Sequence, residues 1–153
     1  MTKNPVYSFF HTPGTLAPVF LRCALVVIFF YHGGQKTFGW FGGDGFSETV
    51  RLWSAGSGLG LSFFLASAAI VAEIVVVPLL LLGFLTRFAG LLIVALMGGA
   101  LYLVHGGESF TAIQFPILVM ASGLALLFLG GGYLSIDRRI SQSLLPEVGG
   151  LSY

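Results

Sequence analysis

A few side chains in this sequence are out of keeping with their apolar surroundings, and any chemistry must start from them. Glu73 stands near the middle of a long run of Ala, Val, Ile and Leu. A carboxylate in hydrocarbon costs several kcal/mol unless it is protonated, paired or turned toward a cavity, so Glu73 is expected to face inward. Arg22 lies about one helical turn inside the first apolar run. Its side chain is long enough either to reach Glu73 as a structural ion pair or to bend back toward lipid headgroups. His32 and Lys36 are four residues apart and share a helix face at the other end of that run. His105 closes a third apolar run at the same expected depth, and Gln35 and Glu108 adjoin the two histidines. His32, Lys36 and His105 together make a seat for an anionic or carbonyl-bearing ligand with a group that titrates near neutrality, which is proton-coupled binding. The plainer reading is that these residues are polar because they touch water.

Other chemistries find less support. His11 belongs to the opposite end of the molecule, and no i, i+4 histidine pair or Glu-x-x-His completes a metal site, so no metal is predicted. A haem needs only one or two axial histidines, which His32 and His105 can supply, but nothing else favours it. The single cysteine, Cys23, excludes an intrachain disulfide or a CxxC pair. Gly56-Ser57-Gly58-Leu59-Gly60 and Gly130-Gly131-Gly132 do not sit in a βαβ context and are turn or packing glycines rather than phosphate loops. A net charge of +1 with scattered Lys and Arg gives no basic stripe for nucleic acid.

The elements that must position these residues are membrane helices. The chain has 153 residues, of which 56% are hydrophobic and only 8% are charged. Four windows approach the roughly 20 apolar residues that cross a bilayer: Leu16 to Gly34, Leu59 to Phe84, Phe88 to Val104 and Ala112 to Gly132. Pro78 and Pro116 fall inside spans, where a membrane helix tolerates them, and both are candidate kinks. The first window follows Lys3 as a signal peptide would, but no Ala-x-Ala cleavage pattern ends it, and a retained helix is expected. The expectation is an all-α integral membrane four-helix bundle, with a spanning region at 16–134, an N-terminal arm at 1–15 and an amphipathic tail at 135–153.

Four crossings put both termini on one side. That side gathers Lys3, Arg22, Arg87, Arg138 and Arg139 against Lys36 and Arg51 on the other, so the positive-inside rule places the termini in the cytoplasm. The first outer loop carries Phe46, Val50 and Trp53 at helical spacing, with Asp44 or Ser47 placed to cap and Glu48 near Arg51. This predicts a short interfacial helix that either roofs the bundle or contributes Trp53, with Trp40, to an aromatic belt. Arg87, Arg138 and Arg139 are placed to meet lipid phosphates, and Ser135 and Asp137 to cap a surface helix from Ile136 to Leu145. Small residues around Gly98-Gly99-Ala100 and at Gly123 offer faces for another helix. An echo of Tyr31-His32-Gly33-Gly34-Gln35 in Val104-His105-Gly106-Gly107-Glu108 is either the trace of a two-plus-two repeat or coincidence in a glycine-rich chain.

Taken in order, Arg22, His32-Gly33 with Lys36, Glu73, Gly83-Phe84-Leu85-Thr86-Arg87, His105 and Gly130-x-Gly132-x-x-Ser135-x-Asp137 resemble the DoxX family of small four-span membrane proteins, over roughly Leu21 to Asp137. The resemblance implies a redox-associated subunit in the cell's inner (plasma) membrane, because namesake relatives resemble subunits of an archaeal thiosulfate:quinone oxidoreductase. It implies that His32, Lys36 and His105 bind a quinone head group or a small anionic reductant at the outer side of the membrane, with Glu73 as a buried proton acceptor. Such a subunit would sit in the lipid bilayer beside other membrane or peripheral subunits that carry the electrons. The rival expectations are a non-catalytic anchor within a larger complex and, resting only on the histidine echo, a small-solute transporter.

Overall fold

The protein is described by a computed structural model over residues 9–12, 14–54, 60–103 and 108–144. The described residues form helices and turns with no strand. Four helices are long and apolar enough to cross a membrane: α1 (Ala17–Phe38), α3 (Phe63–Leu82), α4 (Thr86–Leu103) and α5 (Phe110–Leu129). The chain is therefore a multi-pass membrane protein. The described residues also include two shorter α-helices, α2 (Gly45–Ser54) in the first loop and α6 (Ile136–Ser143) after the last crossing, and a 3-10 turn at Trp40–Gly42.

Each span ends where its sequence supplies a stop. In α1, Pro18 falls in the first turn, where its missing N–H removes no helical bond, and the helix closes at Gly39, whose φ of 71° suits a left-handed cap. This span runs a turn past its expected end at Gly34. Gly33 and Gly34 do not terminate it; Gly33 instead brings α1 close to α3, since a Cβ there would lie 3.4 Å from the Ile74 amide nitrogen. Ser62 caps α3 by accepting the Leu65 N–H at 3.2 Å. At its far end Gly83, with φ of 62°, donates to Leu80 O while Phe84 donates to Leu79 O. Pro78 and Pro116 are accommodated within continuous helices.

Packing divides the bundle into two antiparallel pairs. Contact is most extensive between α4 and α5 and between α1 and α3, and sparse between α1 and α5. The α4–α5 pair is close because both helices present glycine: a Cβ on Gly90 would lie 2.6 Å from Gly123 O, and one on Gly123 would lie 2.8 Å from Ile93 Cγ2. Gly123 is thus occupied within the chain, whereas Gly98 and Gly99 face open space. Leu25, Phe29, Val76, Leu80, Ala89, Ile93, Val119 and Leu126 form the shared core. Phe20, Val27, Phe64, Leu81, Leu118 and Phe128 point outward, as side chains solvated by lipid do.

Helix α2 docks on the loop end of the bundle against α1 and α3. Val50 is buried with Ala66 and Ile70, and Phe46, Trp53 and Leu61 pack around them. The apolar face expected from Phe46, Val50 and Trp53 is therefore a roof contact. Trp40 is no part of it: the chain reverses at Gly39, and Trp40 stacks on Phe38 while Phe41 stacks on Tyr31.

Candidate functional site

The antiparallel register of α1 and α3 builds the site. Because Gly33 rests on the backbone at Glu73 and Ile74, the next turn of α1 carries Lys36 within reach of Glu73. The Lys36 ammonium donates to Glu73 Oε1 at 2.6 Å. Glu73 is only 5% exposed, and its second oxygen, Oε2, is buried with no hydrogen-bond partner. An ammonium has three donors and a carboxylate four acceptor positions, so the pair retains unused capacity on both partners. The ammonium also lies 5.0 Å from the centroid of the Trp53 ring, which ties the roof to the pair through a cation–π contact.

Glu73 therefore does not pair with Arg22, contrary to one expectation. Arg22 is at the opposite end of the bundle, beside the last turn of α3 rather than its middle. Its Nε donates to Leu80 O at 2.7 Å and its Nη2 to Leu81 O at 3.1 Å, while Nη1 donates to Gly131 O and Leu134 O at 2.7 Å each. Carbonyls at the end of α3 have no partner within their own helix, and a planar guanidinium reaches several of them at once. Arg22 neither pairs with a carboxylate nor bends to the headgroups.

Next to Lys36 and Glu73 lies a cavity of about 170 Å³. Ile28, Phe29 and His32 line it from α1, Met97 and Ala100 from α4, and Phe115, Pro116 and Val119 from α5. The walls are thus mainly apolar, with the polar groups gathered on the α1–α3 side. His32 shares the cavity with Lys36 as their helical spacing requires, but it is exposed, with its ring edge-on to Tyr31. The structure brings His32, Lys36 and Glu73 together; His105 lies outside the described residues. Glu108 is described and exposed.

Glu73 is the deepest of these groups, and Lys36, two residues before the end of α1, is the nearest to the loop end. Glu73 lies ten residues past Phe63, roughly 15 Å along α3 at ~1.5 Å per residue, which is about halfway through the span. The cavity therefore extends from the middle of α3 toward the loop end of the bundle, the end on which α2 docks.

The closing motifs at the terminal end have tasks the sequence did not suggest. Ser135 caps α6 as expected, accepting the Arg138 N–H at 3.2 Å. Asp137 does not cap its own helix. It is 3% exposed and accepts the N–H groups of Leu85 at 2.7 Å and Thr86 at 2.8 Å, so α4 starts two residues before its expected Phe88. Leu85 has φ of 49°, a conformation unfavourable for leucine, and the Asp137 carboxylate helps to hold it there. Arg87 donates to Leu127 O, Phe128 O and His11 O. Arg138 lies over the Tyr133 ring at 4.4 Å, and Arg139 is exposed.

Outside the spans, Glu48 and Arg51 form an ion pair on the exposed face of α2, with Arg51 Nε 2.8 Å from Glu48 Oε2. The hydrogen bond from Arg51 holds the Glu48 carboxyl below the usual carboxylate range.

A family model described as DoxX matches residues 17–106. The match takes in α1 to α4 with His32, Lys36 and Glu73, and stops before α5 and the Asp137 clasp. Comparison with curated proteins and with solved structures finds no match.

Proposed function

The chain belongs to the DoxX family, and from that premise and the geometry we propose that it is a redox-associated membrane subunit holding a quinone head group or a small reductant in the cavity beside Glu73. The observation that carries this reading is the Lys36–Glu73 pair beside a cavity, half-buried at the lysine and buried at the carboxylate, with one carboxylate oxygen unbonded. An unmet acceptor in a low dielectric is costly, and a ligand donor in the cavity would satisfy this one. The volume suits a single ring, since an apolar cavity of about 150 Å³ accommodates benzene, and this one is about 170 Å³.

Lys36 has donors left for a carbonyl or anionic oxygen while it remains bonded to Glu73. Glu73 Oε2 can accept a proton without releasing Oε1 from Lys36. His32, exposed and lining the same cavity, is the residue placed to pass protons onward. A bound quinone would supply two-electron, two-proton redox chemistry; no side chain here carries electrons, so a partner subunit must deliver or remove them. We place the protein in the cell's plasma membrane with both termini in the cytoplasm, on the balance of basic residues at the two ends.

A second reading has its own support. Gly98 and Gly99 leave a small-residue face of α4 open, as a helix of another subunit would require, and this favours an anchor within a larger complex. Extraction of the protein purified in mild detergent separates the two. The proposal expects quinone to co-extract, with less recovered from Glu73→Gln. A preparation free of any redox-active molecule, with all cofactors of its complex on the partners, overturns the proposal and leaves the anchor.

A further inference from the structure

The depth and direction of the cavity mouth indicate how a ligand reaches it. Two of the lining residues, His32 on α1 and Phe115 on α5, are exposed, and of the two seams between the helix pairs, α1–α5 is packed more sparsely than α3–α4. His32 lies fifteen residues past Ala17, roughly 22 Å along α1 at ~1.5 Å per residue, and it immediately precedes Gly33, whose Cβ position lies 3.4 Å from the Ile74 amide near the middle of α3. Phe115 lies five residues past Phe110, roughly 8 Å into its span at ~1.5 Å per residue. The exposed wall is therefore at hydrocarbon depth, where the neighbouring medium is acyl chain. On the α1–α3 side the loop end is covered by α2, with Trp53 directly over the Lys36 ammonium.

We infer that the cavity is loaded sideways from the bilayer, through the seam between α1 and α5, by a lipid-dissolved molecule. Its ring-sized polar head reaches Lys36 and Glu73 while its apolar body stays among the acyl chains. The inference rests on the reading that this cavity holds a ligand, and it selects a lipophile over a water-soluble reductant. The volume admits one ring and no tail, and the apolar walls converge on a polar end, the arrangement that orients an amphiphile head-first. His32 stands in the opening, where it contacts the ligand during passage.

The test uses the full chain in phosphatidylcholine nanodiscs. A nitroxide on Phe115→Cys, in a Cys23→Ala background, is compared with one on Ser47→Cys in α2 for collision with oxygen, which concentrates in lipid, and with a neutral nickel chelate, which stays in water. The Phe115 label should favour oxygen and the Ser47 label nickel; equal nickel access at both sites overturns lateral loading. A second arm titrates decylbenzoquinone and its tail-less parent ring. Ile28→Trp, which narrows the seam, should weaken binding of the tailed probe at least tenfold, while Phe46→Ala, which opens the roof away from the Lys36–Trp53 contact, should change it less than twofold. The reverse pattern moves the portal to the roof and also overturns the inference. If neither probe binds the unmodified chain, the quinone reading fails, and the nitroxide result alone decides whether the mouth faces lipid.

Discussion

The two ends of this bundle bury charge by different means. At the terminal end, Arg22 and Asp137 bond entirely to backbone: Arg22 to four carbonyls, Asp137 to two amides. Such partners cannot change rotamer, dissociate or accept a proton at neutral pH, so the result is a fixed clasp joining α1, the α3–α4 turn and the start of α6. At the loop end, Glu73 and Lys36 bond to each other, with a cavity alongside and one carboxylate oxygen unbonded. Both partners there are side chains that can move, and both can take another hydrogen bond. Charge satisfied by backbone stabilises architecture; charge satisfied by another mobile charge remains available to a ligand.

The contrast can be broken most forcefully at the clasp. Arg22→Met should lower stability by roughly 3 kcal/mol, because it strips charged donors from carbonyls in a low dielectric. Asp137→Asn should cost about 2 kcal/mol, since one of its two amide acceptors becomes a donor. Thermal unfolding followed by circular dichroism in detergent checks both. Loss of ligand binding with unchanged melting in either variant would assign the clasp a role it lacks here.

A smaller effect is expected at the roof. Trp53→Ala removes the ring over Lys36 and should destabilise the chain by about 1 kcal/mol, with amide exchange in α2 accelerating while α4 and α5 keep their protection. Uniform acceleration across all helices would mean that α2 is integral to the bundle rather than docked on it. The smallest effect belongs to the exposed Glu48–Arg51 pair. Its carboxyl is held below the usual range, so its contribution is complete at neutral pH and is lost only as pH falls through that lowered value. Solvent and salt screen it, and Glu48→Gln should leave the melting temperature unchanged. A clear fall would show that α2 depends on its outer face as well as on Val50.

What the sequence made legible follows from the same contrast. The spans, the docked helix at Phe46, Val50 and Trp53, and the buried position of Glu73 all follow from local apolar pattern, which a membrane enforces strictly. The partner of Glu73 was not legible, because it depends on how far α1 slides along α3. That register is set by the close approach at Gly33, a three-dimensional fact that the spacing of Arg22 and Glu73 does not reveal. Lys36 read as interfacial because it follows the expected end of its span, yet its helix continues and its side chain reaches inward. Asp137 read as a surface cap because its target, the turn at Leu85 and Thr86, is some fifty residues earlier in the chain. Its burial beside an arginine-rich segment has no local signature. The apolar lining from Met97 and Phe115 likewise looks no different in sequence from lipid-facing residues.

The central claim is that the Lys36–Glu73 pair is kept for binding rather than for stability, and replacing both partners tests it most directly. Lys36→Met with Glu73→Gln removes both charges, so the double variant should melt within a few degrees of the unmodified chain, whereas Lys36→Met alone leaves a buried carboxylate and should melt well below it. Titrated with decylbenzoquinone in nanodiscs, the stable double variant should bind at least tenfold more weakly than the unmodified chain. Unchanged affinity in that variant would contradict the account and leave the pair as a structural link between α1 and α3.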